Sequence, residues 1–174
     1  NAVTALRTLS ALRERGWDIP VEAAVRGLAR ARMPGRLERL VDQPLVLLDG
    51  AHNAAGVEAL CRAVDELLKM RRLHVVMGMV QDKEYETCVR KIARRADVFY
   101  ACTPEADGRE VDAHTISALA ARECADVHTC RTAEDALGKA ISAAQPKDCI
   151  LVCGSLYLIG ETEKILKSRQ KMAE

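Results

Sequence analysis

The sequence is poor in aromatic side chains and lacks the patterns typical of several large functional classes. Aromatic residues make up 3% of the 174 residues, and the formal net charge is +1. So balanced a charge gives no support to a nucleic-acid partner, which a strongly basic composition would indicate. No stretch approaches the roughly 20 consecutive apolar residues of a membrane helix, and no signal-peptide pattern opens the chain. We therefore expect a cytoplasmic protein without nucleic-acid or membrane partners.

The seven cysteines lack the spacing that metal or redox chemistry would require. None forms a C-x-x-C pair, so neither a zinc site nor a thioredoxin-like motif is indicated. Their number is odd, and most of them fall within apolar runs. We predict reduced thiols buried in the core, and we predict no metal site in this chain.

Signatures of phosphate-binding and hydrolytic enzymes are missing as well. The chain has neither a G-x-x-x-x-G-K-[ST] loop nor a G-x-G-x-x-G turn after its first strand. Ser155 does not belong to a G-x-S-x-G elbow. The residues therefore supply parts of a site and not a complete catalytic apparatus.

What the chain does contain is a regular alternation of short apolar runs and amphipathic stretches. Two helices are predicted first, at 2–15 and 21–32, and the M-P-G-R break at 33–36 follows them. Beyond it, runs typical of buried strands alternate with helical stretches. The predicted strands are 44–49, 73–79, 97–102, 126–130 and 148–154, and the predicted helices are 53–70, 83–94, 112–123, 132–144 and 155–170.

This alternation predicts an α/β fold, with a Rossmann-like, mostly parallel sheet in three layers and helices on both faces. The length of the chain suits one domain with a small appendage. We predict an α/β domain at 37–174, preceded by a helical pair at 1–36.

Ligands of open parallel sheets bind beyond the carboxyl ends of the strands, and three of the predicted strands end in polar residues there. Asp49 closes the first strand, and His52 lies in the turn after it. Asn53 fits the N-cap of the next helix, whose free amides would favour an anion. The other two junctions carry Asp82, Lys83 and Ser155. Together these groups suit a site for a polar small molecule.

Plainer roles stay open for each of these residues. Asp82 and Ser155 could be helix caps, Lys83 could be a solvated residue of a first helical turn, and His52 could be a structural turn residue. Asp49 is harder to explain in this way, because a buried carboxylate without a partner is costly.

Four segments, in this order, resemble the C-terminal domain of folylpolyglutamate synthase, a family of the Mur ligase superfamily whose bacterial members often also act as dihydrofolate synthase. They are MPGRLERL (33–40), PLVLLDGAHNAAGVEAL (44–60), GMVQDKEY (78–85) and LVCGSLYLIGE (151–161). The resemblance extends over essentially the whole chain, and it identifies 1–36 as the tail of the family's central ATPase domain. One departure is Ala54, where the family motif has proline.

The resemblance implies an ADP-forming ligase that phosphorylates a folate carboxylate with ATP and then joins L-glutamate to it. The family's phosphate loop and magnesium ligands lie in an upstream domain, so ATP and Mg²⁺ are expected cofactors of the longer protein. The isolated chain is expected to be inactive. The expected partners are ATP, L-glutamate, folate and the upstream domain in cis, in a monomer.

The resemblance also implies roles for individual residues. Asn1 matches an asparagine at the adenine end of ATP, and Arg36 matches an arginine that reaches the phosphates, a task that suits a guanidinium fork. Asp49 matches an aspartate associated with the ribose and the closed state, and with His52 it is an expected catalytic residue. The residues expected at the amino-acid substrate are His52, Lys83 and Ser155.

Two alternatives stay open. The chain could belong to another Mur-type ligase, one that adds an amino acid to a peptidoglycan precursor, although the G-S-L-Y-L-I-G-E segment argues against this. It could also be a non-catalytic α/β domain that binds a small anion at the helix start near Asn53.

Overall fold

A computed structural model of the chain describes residues 2–81 and 84–173, the last five of these without their side chains. The chain divides into two compact units, Asn1–Pro34 and Gly35–Glu174. None of the helices in the described ranges combines the length and the apolar character needed to cross a bilayer.

The first unit is a pair of helices, α1 (Ala2–Glu14) and α2 (Val21–Arg30). Both predicted helices are thus confirmed. No residue of either helix is buried, and Val3 and Val25 of the apolar stripes are 65% and 57% exposed. Their assignment to the tail of an ATPase domain stays a prediction.

In the second unit, the described residues form one six-stranded sheet with the order β1-β2-β6-β3-β4-β5. Strand β1 is antiparallel to β2, and every other pair of neighbours is parallel. The strands are β1 (Glu38–Asp42), β2 (Leu45–Asp49), β3 (Leu73–Met77), β4 (Val98–Ala101), β5 (Val127–Thr129) and β6 (Cys149–Cys153). The predicted mostly parallel sheet is confirmed.

Within 35–81 and 84–173, five helices cover the two faces of this sheet, which makes three layers as predicted. They are α3 (Ala54–Leu67), α4 (Tyr85–Ala93), α5 (Ala113–Ala120), α6 (Ala133–Ala143) and α7 (Leu156–Ala173). Alternate strand residues point to opposite faces, so Leu47 packs in a core with α3, α4 and α5, whereas Leu48 packs in a second core with α6 and α7. Helices and strands differ from their predicted bounds by at most three residues at either end.

Strand β1 is the element that the sequence pattern does not predict. It carries charged residues at Glu38, Arg39 and Asp42, and its register shifts between Arg39 and Val41. A short, charged and irregular strand of this kind is typical of a sheet edge. Because Glu38 pairs with Leu48, β1 brings the P-G-R segment beside the end of β2.

The central parallel strands end level with one another. Asp49 pairs with Cys153, and Cys153 with Met77, so the segments after these strands meet at one edge. The backbones of two of these segments approach closely at Gly154, whose φ is +113°. A Cβ atom on Gly154 would lie 2.6 Å from the carbonyl oxygen of Gly78.

We predict that Gly154→Ala lowers the free energy of unfolding by about 1–3 kcal/mol, because the new methyl group meets backbone and φ is left-handed. Gly160→Ala is the matched control, since Gly160 lies within α7 with nothing near its Cβ position. That variant should be neutral or stabilising by up to about 1 kcal/mol. Urea denaturation measures both; equal stability of the two variants would contradict the prediction.

Candidate functional site

The carboxylate of Asp49 is held by two backbone amides at the end of β2. Its Oδ1 accepts a hydrogen bond from the N–H of Ala51 at 2.9 Å, and its Oδ2 accepts one from the N–H of Leu37 at 2.9 Å. The residue is 7% exposed. The partners that a buried carboxylate requires are therefore backbone groups, one in its own turn and one in the P-G-R-L segment.

The segment before β1 has an unusual backbone that these contacts stabilise. Gly35 and Leu37 have φ angles of +63° and +44°. A left-handed conformation is strained for a leucine, and such strain persists only where surrounding contacts fix it. The N–H of Gly50 donates to the carbonyl oxygen of Gly35 at 2.6 Å, and the N–H of Gly35 donates to Oε2 of Glu38 at 2.8 Å.

Arg36 lies between these two residues with positive φ and is exposed. Its Nη1 lies 3.2 Å from the position that a Cβ on Gly50 would occupy, and Cδ2 of Leu156 lies 2.5 Å from the same point. A glycine at position 50 thus lets the guanidinium and the first residue of α7 approach the turn. Across 2–81 and 84–173 no carboxylate pairs with Arg36, so its N–H groups can bind an anion.

His52 and Asn53 continue the turn into α3. Nδ1 of His52 lies 2.7 Å from the carbonyl oxygen of Gly50, and because a carbonyl only accepts, Nδ1 is the donor. In the neutral ring, Nε2 then carries the lone pair. Oδ1 of Asn53 accepts from the N–H of Gly56 at 2.8 Å, which confirms the predicted N-cap.

Ser155 follows β6 at the same edge and is 1% exposed. Its Oγ accepts a hydrogen bond from the N–H of Leu158 at 3.2 Å, in the first turn of α7. This geometry is that of an N-cap. The second predicted role, a contact with the amino-acid substrate, stays a prediction.

Three predicted site residues, Asn1, Asp82 and Lys83, lie outside the described residues. Their roles stay predictions. In the part of the chain that the structure describes, no group of three or more His, Cys, Asp or Glu side chains is positioned to hold a metal ion.

Sequence reasoning missed the connection between β4 and α5, residues 102–112, which also lies at this edge. The N–H of Gln81 donates to the carbonyl oxygen of Arg109 at 2.7 Å, and the N–H of Glu105 donates to Oε1 of Glu161 at 2.7 Å. The guanidinium carbon of Arg109 lies 5.2 Å from the centroid of the Tyr157 ring, and one of its N–H groups donates to Oη of Tyr157. No motif marks this segment, because its partners lie far away in the sequence.

Burial sets the protonation of several groups at this edge. It raises the pKa of the Cys102 and Cys153 thiols, so both remain protonated and are poor nucleophiles at neutral pH. All seven cysteines are buried and none is in a disulfide, so their predicted position in the core is confirmed. Burial also raises the pKa of the Glu161 carboxyl, against the N–H of Glu105 that favours its charged form.

The geometry as a whole suits a small anionic ligand. Arg36 presents a guanidinium on a fixed backbone, His52 presents an imidazole, and the N-terminus of α3, which begins directly after this turn, adds its positive dipole end. All three lie at the carboxyl edge of a parallel sheet, where α/β folds bind ligands.

Comparisons with known proteins identify the family to which this chain belongs. The family model for the Mur ligase, glutamate ligase domain matches residues 35–156. The chain belongs to this family. The predicted likeness to folylpolyglutamate synthases is confirmed as well, because relatives and structural neighbours with that name match most of the chain.

Two curated relatives carry related names. A probable bifunctional folylpolyglutamate synthase/dihydropteroate synthase of Haloferax volcanii is 37% identical over 146 residues, which are 83% of this chain and 17% of that protein. The dihydrofolate synthase/folylpolyglutamate synthase of Escherichia coli is 28% identical over 170 residues, which are 98% of this chain and 38% of that protein. This chain therefore spans well under half the length of either relative.

A solved structure extends the likeness to three dimensions. Escherichia coli FolC in complex with DHPP and ADP superposes with a TM-score of 0.86 at 26% identity, over 95% of this chain and 39% of that one. The fold of the chain is thus that of the corresponding part of this protein.

We predict that Asp49→Asn lowers the free energy of unfolding by about 1–3 kcal/mol, because an amide NH₂ at the Oδ2 position cannot accept from Leu37 and leaves the partly buried N–H of Leu37 unpaired. The matched control is Asp42→Asn, whose side chain is 73% exposed. That change should stay within about 0.5 kcal/mol. Thermal and urea unfolding of both variants test this, and an Asp49→Asn protein as stable as the control would refute it.

Proposed function

We propose that this chain is the C-terminal domain of an ATP-dependent ligase that adds L-glutamate to folate, with dihydropteroate as a further acceptor to be tested. The observation that carries the proposal is the pair of hydrogen bonds that joins the Arg36 segment to the Asp49–His52 turn. These bonds lie in a chain that belongs to the glutamate ligase domain family. The names of its relatives support folate as the acceptor.

The proposed reaction has two steps. A carboxylate oxygen of the folate attacks the γ-phosphorus of ATP, and the bond to the bridging oxygen breaks to release ADP. The free amine of L-glutamate then attacks the carbonyl carbon of the acyl phosphate and expels phosphate, which leaves an amide. The protein itself forms no covalent bond in either step. Its expected contributions to the rate are therefore the positioning of the reactants and the stabilisation of charge.

In this proposal Arg36 stabilises the charge on the transferred phosphoryl group. A guanidinium suits this task because it stays protonated and donates through several N–H groups at once. Asp49 holds the backbone beside it. A carboxylate offers about four lone-pair directions and the two amides use two of them, so a ribose hydroxyl could still donate to Asp49.

His52 is proposed to act on the amino-acid substrate. The amine of L-glutamate is protonated at neutral pH and must lose a proton before it can attack. With Nδ1 donating to Gly50, Nε2 is the nitrogen that can accept this proton. Ser155 and Lys83 are proposed to lie near the same substrate, and Asn1 at the adenine end of ATP.

A divalent cation, Mg²⁺, is the proposed partner of the ATP phosphates, whose charge it neutralises. The described residues do not offer a set of ligands for it, so none of the steps above depends on it. We propose that its ligands, like the phosphate loop, belong to a preceding domain of the same polypeptide. The exposed apolar stripes of α1 and α2 would pack against that domain, in a cytoplasmic monomeric enzyme.

We predict that the longer protein that contains this chain releases ADP only when ATP, a reduced folate and L-glutamate are all present. The isolated chain should release none, because most of the proposed phosphate contacts are absent from it. A coupled assay of ADP release measures both proteins. His52→Gln in the longer protein should lower kcat by roughly 10²–10⁴-fold, the usual contribution of a proton-transfer group, with unfolding unchanged.

The same assay separates the alternatives. ADP release with a nucleotide-linked peptidoglycan precursor, and none with folate, would assign the chain to a cell-wall ligase. Tight and saturable binding of phosphate by the isolated chain, with no ligase activity of the longer protein, would support a non-catalytic anion-binding domain.

A further inference from the structure

A cavity of about 530 Å³ lies at the amino-terminal edge of the central strands, opposite the edge that carries Asp49. Its lining residues lie at or just before the starts of β3, β4 and β5 and in the connection between α6 and β6. Strands β3 and β6 are five residues long, and each residue advances a strand by about 3.3 Å. The cavity is thus separated from the candidate site by roughly 13 Å.

Two basic side chains that line this cavity are available to an anion. Arg72 and Lys147 are both exposed, and neither forms an ion pair within 2–81 and 84–173. Guanidinium and ammonium groups without a carboxylate partner suit a phosphate or a carboxylate of a ligand.

The two carboxylates that line the cavity already have partners. Oδ2 of Asp148 accepts from the N–H of Gln145 at 2.8 Å, and it lies 3.3 Å from Nε2 of His74. These contacts hold the pKa of Asp148 below its ordinary value. Oδ1 of Asp126 lies 3.0 Å from Nε2 of His128. Because both carboxylates are engaged, the unpaired charge around the cavity is positive.

Two buried polar side chains in the lining lack a hydrogen-bond partner among the residues that the structure describes. Tyr100 is 2% exposed, and no hydrogen bond joins its Oη to another of these residues. Burial raises the pKa of this phenol, so it stays protonated and can donate to an anion. Nδ1 of His74, a residue 1% exposed, is also unpartnered. Buried polar groups usually have partners, so two exceptions beside one cavity indicate an occupant.

Aromatic and apolar surface completes the lining. The rings of Tyr100 and His128 stack with their centroids 5.0 Å apart and an angle of 13° between their planes. Met70, another lining residue, is 94% exposed. Imidazole rings and thioethers both pack well against an aromatic ring. A ligand with a ring and an anionic group would therefore match both kinds of surface.

We propose that this cavity is a second ligand site, which binds a small aromatic ring that carries a phosphate or carboxylate group. Arg72 and Lys147 bind the anionic group, and Tyr100 donates to it through Oη. His128 and Met70 contact the ring. Binding at this edge of the sheet does not require the proposed ligase reaction.

The test is a titration of the 174-residue chain with phenyl phosphate, followed by the NMR chemical shifts of its backbone amides. The expected result is saturable binding with a Kd of about 1 mM or lower. Inorganic phosphate lacks the ring and should bind roughly tenfold more weakly. The largest shifts with phenyl phosphate should occur at 72–74, 98–100, 126–128 and 145–148.

Three variants identify the contacts. Arg72→Gln should raise the Kd for phenyl phosphate roughly tenfold, the effect of losing one charge-assisted hydrogen bond. Tyr100→Phe removes only the hydroxyl and should raise the Kd roughly threefold to tenfold. Its thermal stability should not fall, because the lost hydroxyl has no partner in the described chain. Arg131→Gln, at an exposed arginine after β5, is the matched control and should bind as the wild type does.

Four outcomes would overturn the proposed site. Shifts that do not saturate would show that the cavity does not bind this class of ligand. Saturable shifts confined to residues 35–56 would place the anion at the candidate site instead. Equal Kd values for phenyl phosphate and inorganic phosphate would exclude recognition of a ring. A Kd unchanged in both Arg72→Gln and Tyr100→Phe would exclude the contacts that define the site. The proposed ligase function would stand in all four cases.

Discussion

The carboxylate of Asp49 joins the two segments from which the candidate site is built. One oxygen accepts from Ala51 in its own turn, and the other accepts from Leu37 beyond Arg36. Without the second bond, the left-handed backbone at Leu37 would lack the contact that stabilises it. The antiparallel pairing of β1 with β2 brings the two segments together, so a short edge strand that contributes little to the core determines where Arg36 lies.

Most of the fold could be predicted from the sequence because its hydrophobic periods are clear. Buried parallel strands such as LVLLD and CILVC read as continuous apolar runs, and helices between them repeat with a period near 3.6. Strand β1 could not be predicted, because Glu38, Arg39 and Asp42 interrupt any apolar alternation. Its existence depends on a partner strand, which is a tertiary contact.

The candidate site, like the fold, could be predicted from the sequence only in part. Asp49, His52 and Ser155 could be predicted because each lies at or just after the end of an apolar run. Polar residues at the carboxyl ends of buried parallel strands indicate a ligand site. That Asp49 binds backbone amides could not be read from the sequence, since one partner lies 12 residues away across the sheet edge. Arg109 could not be found, because it lies in a polar segment and meets Tyr157 only in the folded chain.

A double-mutant cycle between Asp49 and Arg36 tests most directly whether Asp49 supports the proposed ligase reaction by holding the Arg36 segment in place. The variants are Asp49→Asn, Arg36→Gln and the pair, and the quantity is kcat/KM for ATP in the longer protein. If Asp49 acts by holding the Arg36 segment, the double variant should lie within roughly a factor of two of Arg36→Gln alone. If the two losses multiply, the residues act independently, and Asp49 does not serve the chemistry through Arg36.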